Sequence, residues 1–162
     1  MVAAYVALGA NLGDPVATVR AAIDALRGIA DTRLAAASSL YRTAPVGLHH
    51  QPDFINAVAA LEVDAAALPA PSLLEQLFAI EADFGRVRTI RNAPRTLDLD
   101  LLLFGTERRS EPGLTLPHPR MTERAFVLAP LAEIAPDLSI PGCGPVADLL
   151  AGVAGQRVER LP

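Results

Sequence analysis

Ala3-Ala4-Tyr5-Val6-Ala7-Leu8 is a short apolar run closed by Gly9, the pattern of a buried strand. Asp14-Pro15 then sets an N-cap ahead of a proline at the first helical position. Val16, Val19, Ala22, Ile23 and Leu26 recur at helical spacing, which predicts a helix over 15–29. A second strand fits 34–41 and runs into a loop over 42–52. The third, 54–63, alternates two faces: Phe54, Asn56, Val58 and Ala60 on one, Ile55, Ala57, Ala59 and Leu61 on the other. The proline-rich stretch ending at Pro71 reads as a linker. Ser72 and Glu75 have capping-box spacing, and Leu73, Leu74, Leu77, Ile80, Glu81 and Phe84 carry a second helix to its stop at Gly85. An arginine-rich loop containing Pro94 follows, then a fourth strand over 96–104.

Strand, helix, strand, strand, helix, strand is the order of a split βαβ, ferredoxin-like fold. The expected class is therefore α+β, a βαββαβ core with an antiparallel sheet and both helices packed on one face. Beyond it, Pro117, Pro119, Pro130, Pro136, Pro141 and Pro145 punctuate a C-terminal appendage with short helices near 121–132 and 145–152. No repeat or low-complexity tract divides the chain, so 1–162 is expected to be a single domain.

Composition narrows the class. The 162 residues are 51% hydrophobic, enough for one substantial core. Apolar runs such as 97–104 are broken by aspartates or fall far short of the roughly 20 residues that span a bilayer, so no membrane helix is expected. The first residues carry no basic leader, and Cys143 is the single cysteine, which excludes an internal disulfide and fits a reducing cytoplasm. A net charge of −4 offers no general attraction for nucleic acid. A monomer is the default expectation. All 14 basic residues are arginines, and Arg86, Arg88, Arg91 and Arg95 crowd into the segment just before a pair of aspartates.

Those aspartates, Asp98 and Asp100, are two apart in a strand and so share a face, about 6.6 Å apart along the backbone. Leu97, Leu99, Leu101 and Leu103 would occupy the opposite face as the core anchor. Ionised carboxylates beside a core need a cationic partner. Magnesium suits them, since it takes oxygen ligands from one or two carboxylates and completes its shell with substrate phosphates. Surface aspartates paired with the nearby arginines are the plainer alternative. Arg86, Arg88 and Arg95 can approach the same anion, and guanidinium groups match phosphate oxygens in pairs. Phosphoryl transfer asks mainly for positioning and charge stabilisation, which such a set supplies. A metal-dependent phosphodiesterase or a non-catalytic binding module fits the same residues.

Other signals are weaker. Gly9-Ala10-Asn11-Leu12-Gly13-Asp14 lacks the ending of a P-loop and the glycine spacing of a dinucleotide site, and is read as turn chemistry. His49-His50 and the remote His118 make no zinc set. The prolines around His118 restrict its backbone, which favours a positioned contact.

Several segments together resemble the 6-hydroxymethyl-7,8-dihydropterin pyrophosphokinase family of folate synthesis over essentially the full length. They are Val6-Ala7-Leu8-Gly9-Ala10-Asn11-Leu12-Gly13, Ser39-Leu40-Tyr41-Arg42-Thr43-Ala44-Pro45, Gln51-Pro52-Asp53-Phe54-Ile55-Asn56 and Gly85-Arg86-Val87-Arg88. They continue with Pro94-Arg95-Thr96-Leu97-Asp98-Leu99-Asp100-Leu101, Leu116-Pro117-His118-Pro119 and Arg124-Ala125-Phe126. The resemblance implies transfer of the terminal diphosphate of ATP to the pterin hydroxymethyl oxygen, with release of AMP. It implies two magnesium ions on Asp98 and Asp100, with Arg86 and Arg95 on the transferring phosphates and Arg88 assisting. Thr115, His118 and Arg124 would line the ATP site, with Glu81 and Leu101 as nucleotide neighbours. The pterin would stack between Phe54 and Phe126, its edge read by Asn56 and by backbone groups of Thr43, Ala44, Pro45 and Val46. Compared with the best-known members, Asn92-Ala93 stands in place of Trp-Gly, Thr89 of lysine and Phe54 of tyrosine, and Pro119 stands where tyrosine can occur.

Overall fold

The computed structural model describes residues 1–44, 52–85 and 97–162. Its centre is β1 (Val2–Ala10), which pairs antiparallel with β4 (Phe54–Val63) on one side and β5 (Asp98–Phe104) on the other. The sheet continues through β3 (Tyr41–Thr43) to the C-terminal β10 (Glu159–Arg160), in the order β10-β3-β4-β1-β5, and β2 (Thr32–Ala37) also pairs with β4. Two small hairpins stand apart, β6 (Arg109–Glu111) with β7 (Leu114–Leu116) and β8 (Ser139–Ile140) with β9 (Gly144–Pro145). No helix among the described residues is long and apolar enough to cross a membrane.

Helices cover both faces of the sheet. From α1 (Pro15–Leu26) come Val19, Ala22 and Leu26, and from α2 (Ala70–Asp83) come Leu73, Leu77 and Ile80; all pack with Ala4, Val6 and Leu8 of β1. The other face is closed by Val127, Leu128 and Leu131 of α3 (Ala125–Ile134) and Val146 of α4 (Val146–Gly152), against Ala7, Val58 and Leu103. A 3-10 turn, Met121–Glu123, leads into α3. Each fully buried leucine of this kind contributes about 1.5–3 kcal/mol. The C-terminal third is thus the second wall of the core.

Several local expectations are met. The Asp14 side chain accepts from the Ala17 N–H at 3.1 Å, with Pro15 opening α1. Gly85, at φ +84, follows the end of α2 in the left-handed conformation that glycine adopts without strain.

Others are corrected. The second strand is broken into β2 and β3 because Ser38 takes over the pairing: its N–H donates to the Val58 carbonyl and its Oγ accepts from the Val58 N–H, both at 2.9 Å. The capping box does not form. Helix α2 begins earlier, at Ala70, with Pro69 as N-cap and Pro71 in the first turn, where a missing N–H costs nothing. Leu103 does not lie with Leu97, Leu99 and Leu101. The register between β1 and β5 steps from Tyr5↔Leu103 to Val6↔Leu101, a bulge that inserts Leu102 and turns Leu103 toward α3.

Leu77→Ala and Leu128→Ala each empty a fully buried site on opposite faces. Each is expected to cost about 2–5 kcal/mol in urea unfolding, in one cooperative transition. A Leu128→Ala protein as stable as the parent, or one that unfolds in two steps, would show that the C-terminal helices are not part of the common core.

Candidate active site

Antiparallel pairing sets side chains directly opposite one another on the same face. Asp98 stands across from Gly9, Gly9 from Asn56 and Asn56 from Tyr41; in a neighbouring row, Asp100 stands across from Ala7 and Ala7 from Val58. Both aspartates therefore project toward the side covered by α3, while Leu97, Leu99 and Leu101 anchor the strand in the opposite core. At about 4.8 Å per strand, Asp98 and Asn56 are separated by about 10 Å across Gly9. A Cβ on Gly9 would meet Asn56 Oδ1 at 3.2 Å. Glycine here keeps the floor between the carboxylate and the amide low.

Asn56 is buried, and its Nδ2 donates to Thr43 Oγ1 at 2.9 Å, which fixes the amide and leaves Oδ1 toward Gly9. Thr43 in turn pairs with Phe54, which shares the alternating face of Asn56 and Val58. Ala44 follows β3 and is exposed. Asn11, read from the sequence as turn chemistry, is buried and its Nδ2 donates to the Pro52 carbonyl at 3.4 Å, tying the end of β1 to the entry of β4.

Strand β5 lies at the edge of the described sheet, so its outward N–H groups need partners from elsewhere. Glu81, 1% exposed on α2, supplies one: its Oε2 accepts from the Leu99 N–H at 2.8 Å, bracing the backbone between the two aspartates. Leu101 is a core residue of the α2 side, and Thr115 is an exposed position of β7 opposite Ser110.

His118 donates its backbone N–H to the Leu102 carbonyl at 2.9 Å, and its Nδ1 accepts from the Arg120 N–H at 3.2 Å. The neutral ring therefore carries its proton on Nε2. Burial, then the charges of Arg124 and Arg120, push its pKa below the ordinary value against an opposing pull from Asp98. These groups act on one ring, so His118, Arg124 and Asp98 belong to one neighbourhood. The Arg124 guanidinium lies over the half-buried Phe126 ring, 5.4 Å from its centroid. Arg86, Arg88, Arg95, Pro45 and Val46 lie outside the described residues.

Among the described residues no three His, Cys, Asp or Glu side chains gather into a cluster able to hold a metal. Two carboxylates on one rigid face do not make the closed set of a structural zinc site. They suit a hard cation that takes its remaining oxygens from substrate, as magnesium does.

A second polar group joins β3 to α3. The Glu133 carboxylate accepts from Tyr41 OH at 2.6 Å, from Ser39 Oγ at 3.0 Å and from the Ser39 N–H, with Arg160 Nη2 at 3.7 Å. Burial and the hydrogen bond to Glu133 push the Tyr41 phenol up to about 12. Partial burial pushes Glu133 up as well, but the bonds from Tyr41 and Ser39 and the charge of Arg160 outweigh it and hold the carboxyl below its ordinary value. The helix expected near 121–132 stops short of Glu133, and the sequence pattern gives that residue no role.

A family model described as 7,8-dihydro-6-hydroxymethylpterin-pyrophosphokinase (HPPK) matches residues 5–136. A 2-amino-4-hydroxy-6-hydroxymethyldihydropteridine pyrophosphokinase of Pseudomonas aeruginosa is 49% identical over 158 residues, covering 98% of this chain and 96% of that one. The protein of the same name from Haemophilus influenzae is 42% identical over 161 residues, covering 99% of each. Among solved structures, an HPPK-DHPS in complex with substrates superposes with a TM-score of 0.74 at 11% identity, and Plasmodium falciparum HPPK-DHPS with 0.73 at 12%. At such identity they show a shared fold. The chain spans 43% of the first of these and 41% of the second, while covering 93% and 94% of itself.

The Glu133 cluster has a pH signature. A carboxyl held low in the fold adds stability that is complete above the ordinary value of 4.5 and is lost as pH falls below it. Glu133→Gln is expected to flatten that acid limb in urea unfolding followed from neutral pH to about 3.5, and Tyr41→Phe to cost about 1 kcal/mol at neutral pH. Superimposable acid limbs for the parent and Glu133→Gln would contradict the assignment.

Proposed function

The chain belongs to the 7,8-dihydro-6-hydroxymethylpterin-pyrophosphokinase family, and from that premise we propose how its own residues carry the reaction. That reaction moves diphosphate from ATP to the hydroxymethyl group of 6-hydroxymethyl-7,8-dihydropterin, giving AMP and the pterin diphosphate in tetrahydrofolate synthesis.

The observation that carries the proposal is the same-face pair Asp98 and Asp100, with Asp98 in the same cross-strand row as the edge-reading Asn56, two strands away and separated from it only by Gly9. The two carboxylates would hold two magnesium ions with the ATP phosphates. Magnesium bound there would neutralise charge on the phosphates and make the β-phosphorus more electrophilic. Arg86 and Arg95 bind the transferring phosphates through paired N–H bonds, and Arg88 assists them. His118 offers Nε2–H as a neutral donor, while Thr115 and Arg124 line the nucleotide site, with Glu81 and Leu101 as its neighbours. The pterin stacks between Phe54 and Phe126 and presents its edge to Asn56 and to the backbone from Thr43 through Ala44 and Pro45 to Val46. The hydroxymethyl oxygen then bonds to the β-phosphorus as the bond from that phosphorus to the α-bridging oxygen breaks; AMP leaves with that oxygen, and the hydroxyl proton is released to water.

We read the βαββαβ core as ferredoxin-like, with α1 and α2 on one face and the C-terminal helices as an addition to it. The pairing of β4 and β5 on either side of β1 supports that reading. A single-domain monomer in the cytoplasm fits a described surface on which Met1 and Phe78 are the exposed large hydrophobics, and a lone, exposed Cys143.

Incubation of the purified chain with ATP, magnesium and 6-hydroxymethyl-7,8-dihydropterin is expected to yield AMP in step with pterin diphosphate, resolved by chromatography, and no product once the metal is chelated. ADP would mean transfer of a single phosphate, and diester hydrolysis without pterin would mean a phosphodiesterase; either contradicts the proposal.

A further inference from the structure

One side chain brackets Arg124. The Gln156 Oε1 accepts from the Ala125 N–H at 2.9 Å, and its Nε2 donates to the Glu123 carbonyl at 2.7 Å. The peptide groups immediately before and after Arg124 are both held by this one amide. Arg124 is the N-cap residue of α3, yet no local side chain caps the helix. An N-terminal N–H of a helix has no intrahelical acceptor, and Gln156 supplies one from a distant part of the chain.

The anchor is itself fixed on both sides. The Gln156 N–H donates to the Val153 carbonyl at 3.0 Å, at the end of α4. A few residues on, Glu159 and Arg160 pair with Arg42 and Tyr41 of β3, and the Leu161 N–H donates to the Leu40 carbonyl at 2.9 Å. A glutamine on a loose tail could not set the position of anything. One strung between a helix end and a sheet edge can. Gln156 also lies beyond residues 5–136, the span the family model matches.

We propose that Gln156 is a positioning residue for both substrates. It sets the backbone that carries Arg124 and, two residues on, Phe126, whose ring stacks under the Arg124 guanidinium. A glutamine is suited to this because it offers one acceptor and one donor on a planar group, matching an N–H on one side of Arg124 and a carbonyl on the other. Glutamate keeps the acceptor but loses the donor and sets a charge against a carbonyl. Methionine keeps the length and loses both bonds. The inference rests on placing Arg124 at ATP and Phe126 at the pterin.

The test is steady-state kinetics on the full chain with ATP, magnesium and 6-hydroxymethyl-7,8-dihydropterin, alongside melting temperatures. Gln156→Met is expected to raise KM for both substrates about 5- to 20-fold, from two hydrogen bonds lost, with kcat within about twofold; Gln156→Glu, with one bond kept, is expected to fall between. Because Gln156 acts through Arg124, adding Gln156→Met to Arg124→Ala is expected to leave KM for ATP where Arg124→Ala alone puts it. A lowered melting temperature with both KM values unchanged, or effects that simply add in the double variant, would overturn the inference. If Arg124→Ala and Phe126→Ala also leave both KM values unchanged, the placement of the substrates falls, and the inference with it. Should Gln156→Met fold poorly, the same comparisons are made with Gln156→Glu.

Discussion

Strand β5 has to hold two negative charges side by side on one face while its other face is sealed into a hydrocarbon core. Asp98 and Asp100 repel each other, and a flexible segment would relieve that repulsion by moving apart. Leu97, Leu99 and Leu101 prevent it, since each is almost wholly buried on the α2 side. Glu81 adds a hydrogen bond to the backbone between the aspartates, on a strand that has no neighbour beyond it in the sheet among the described residues. The carboxylates are thereby pre-organised, and the energy that holds them comes from burial elsewhere.

The remainder of the site is built around that strand by pairing register. Gly9 and Ala7 of β1 keep the surface beside the aspartates low, and β4 presents Asn56 two strands away. The C-terminal third closes the other side: α3 carries Phe126 over this face, Arg124 stands at its N-terminus, and His118 is fastened to β5 through the Leu102 carbonyl. The bulge at Leu102 matters to this arrangement. It lets β5 give its first residues to the site and then send Leu103 into the packing beneath α3.

Much of this is legible in the chain's local patterns. Alternation in 54–63 assigns both faces of β4 correctly, and the Asp14-Pro15 and Gly85 signals mark real helix ends. The two-residue spacing of Asp98 and Asp100 is enough by itself to put them on a shared face of a strand. What is not legible depends on contacts remote in sequence or on a break in a periodic rule. Leu103 looks like the fourth member of a leucine stripe because alternation cannot foresee a bulge. Ser72 and Glu75 fit a capping pattern, but burial of Ala70 starts α2 ahead of them. The hydrogen-bond partners of the Glu133 side chain lie 92 and 94 residues away, and those of the Gln156 side chain 31 and 33. No local periodicity could reveal these bonds. The roles proposed for Phe54, Phe126 and Arg124 come from resemblance, since an aromatic ring at a helical or strand position reads first as core.

The most direct test of the central claim is turnover of Asp98→Asn and Asp100→Asn, each a near-isosteric change that removes one charge, measured across a magnesium titration with unfolding curves on the same samples. Both variants are expected to unfold like the parent and to lose at least about a hundredfold in turnover, the scale on which a group that stabilises developing charge is felt. Either variant retaining magnesium-dependent turnover within about threefold of the parent would contradict the claim that this pair is the catalytic platform.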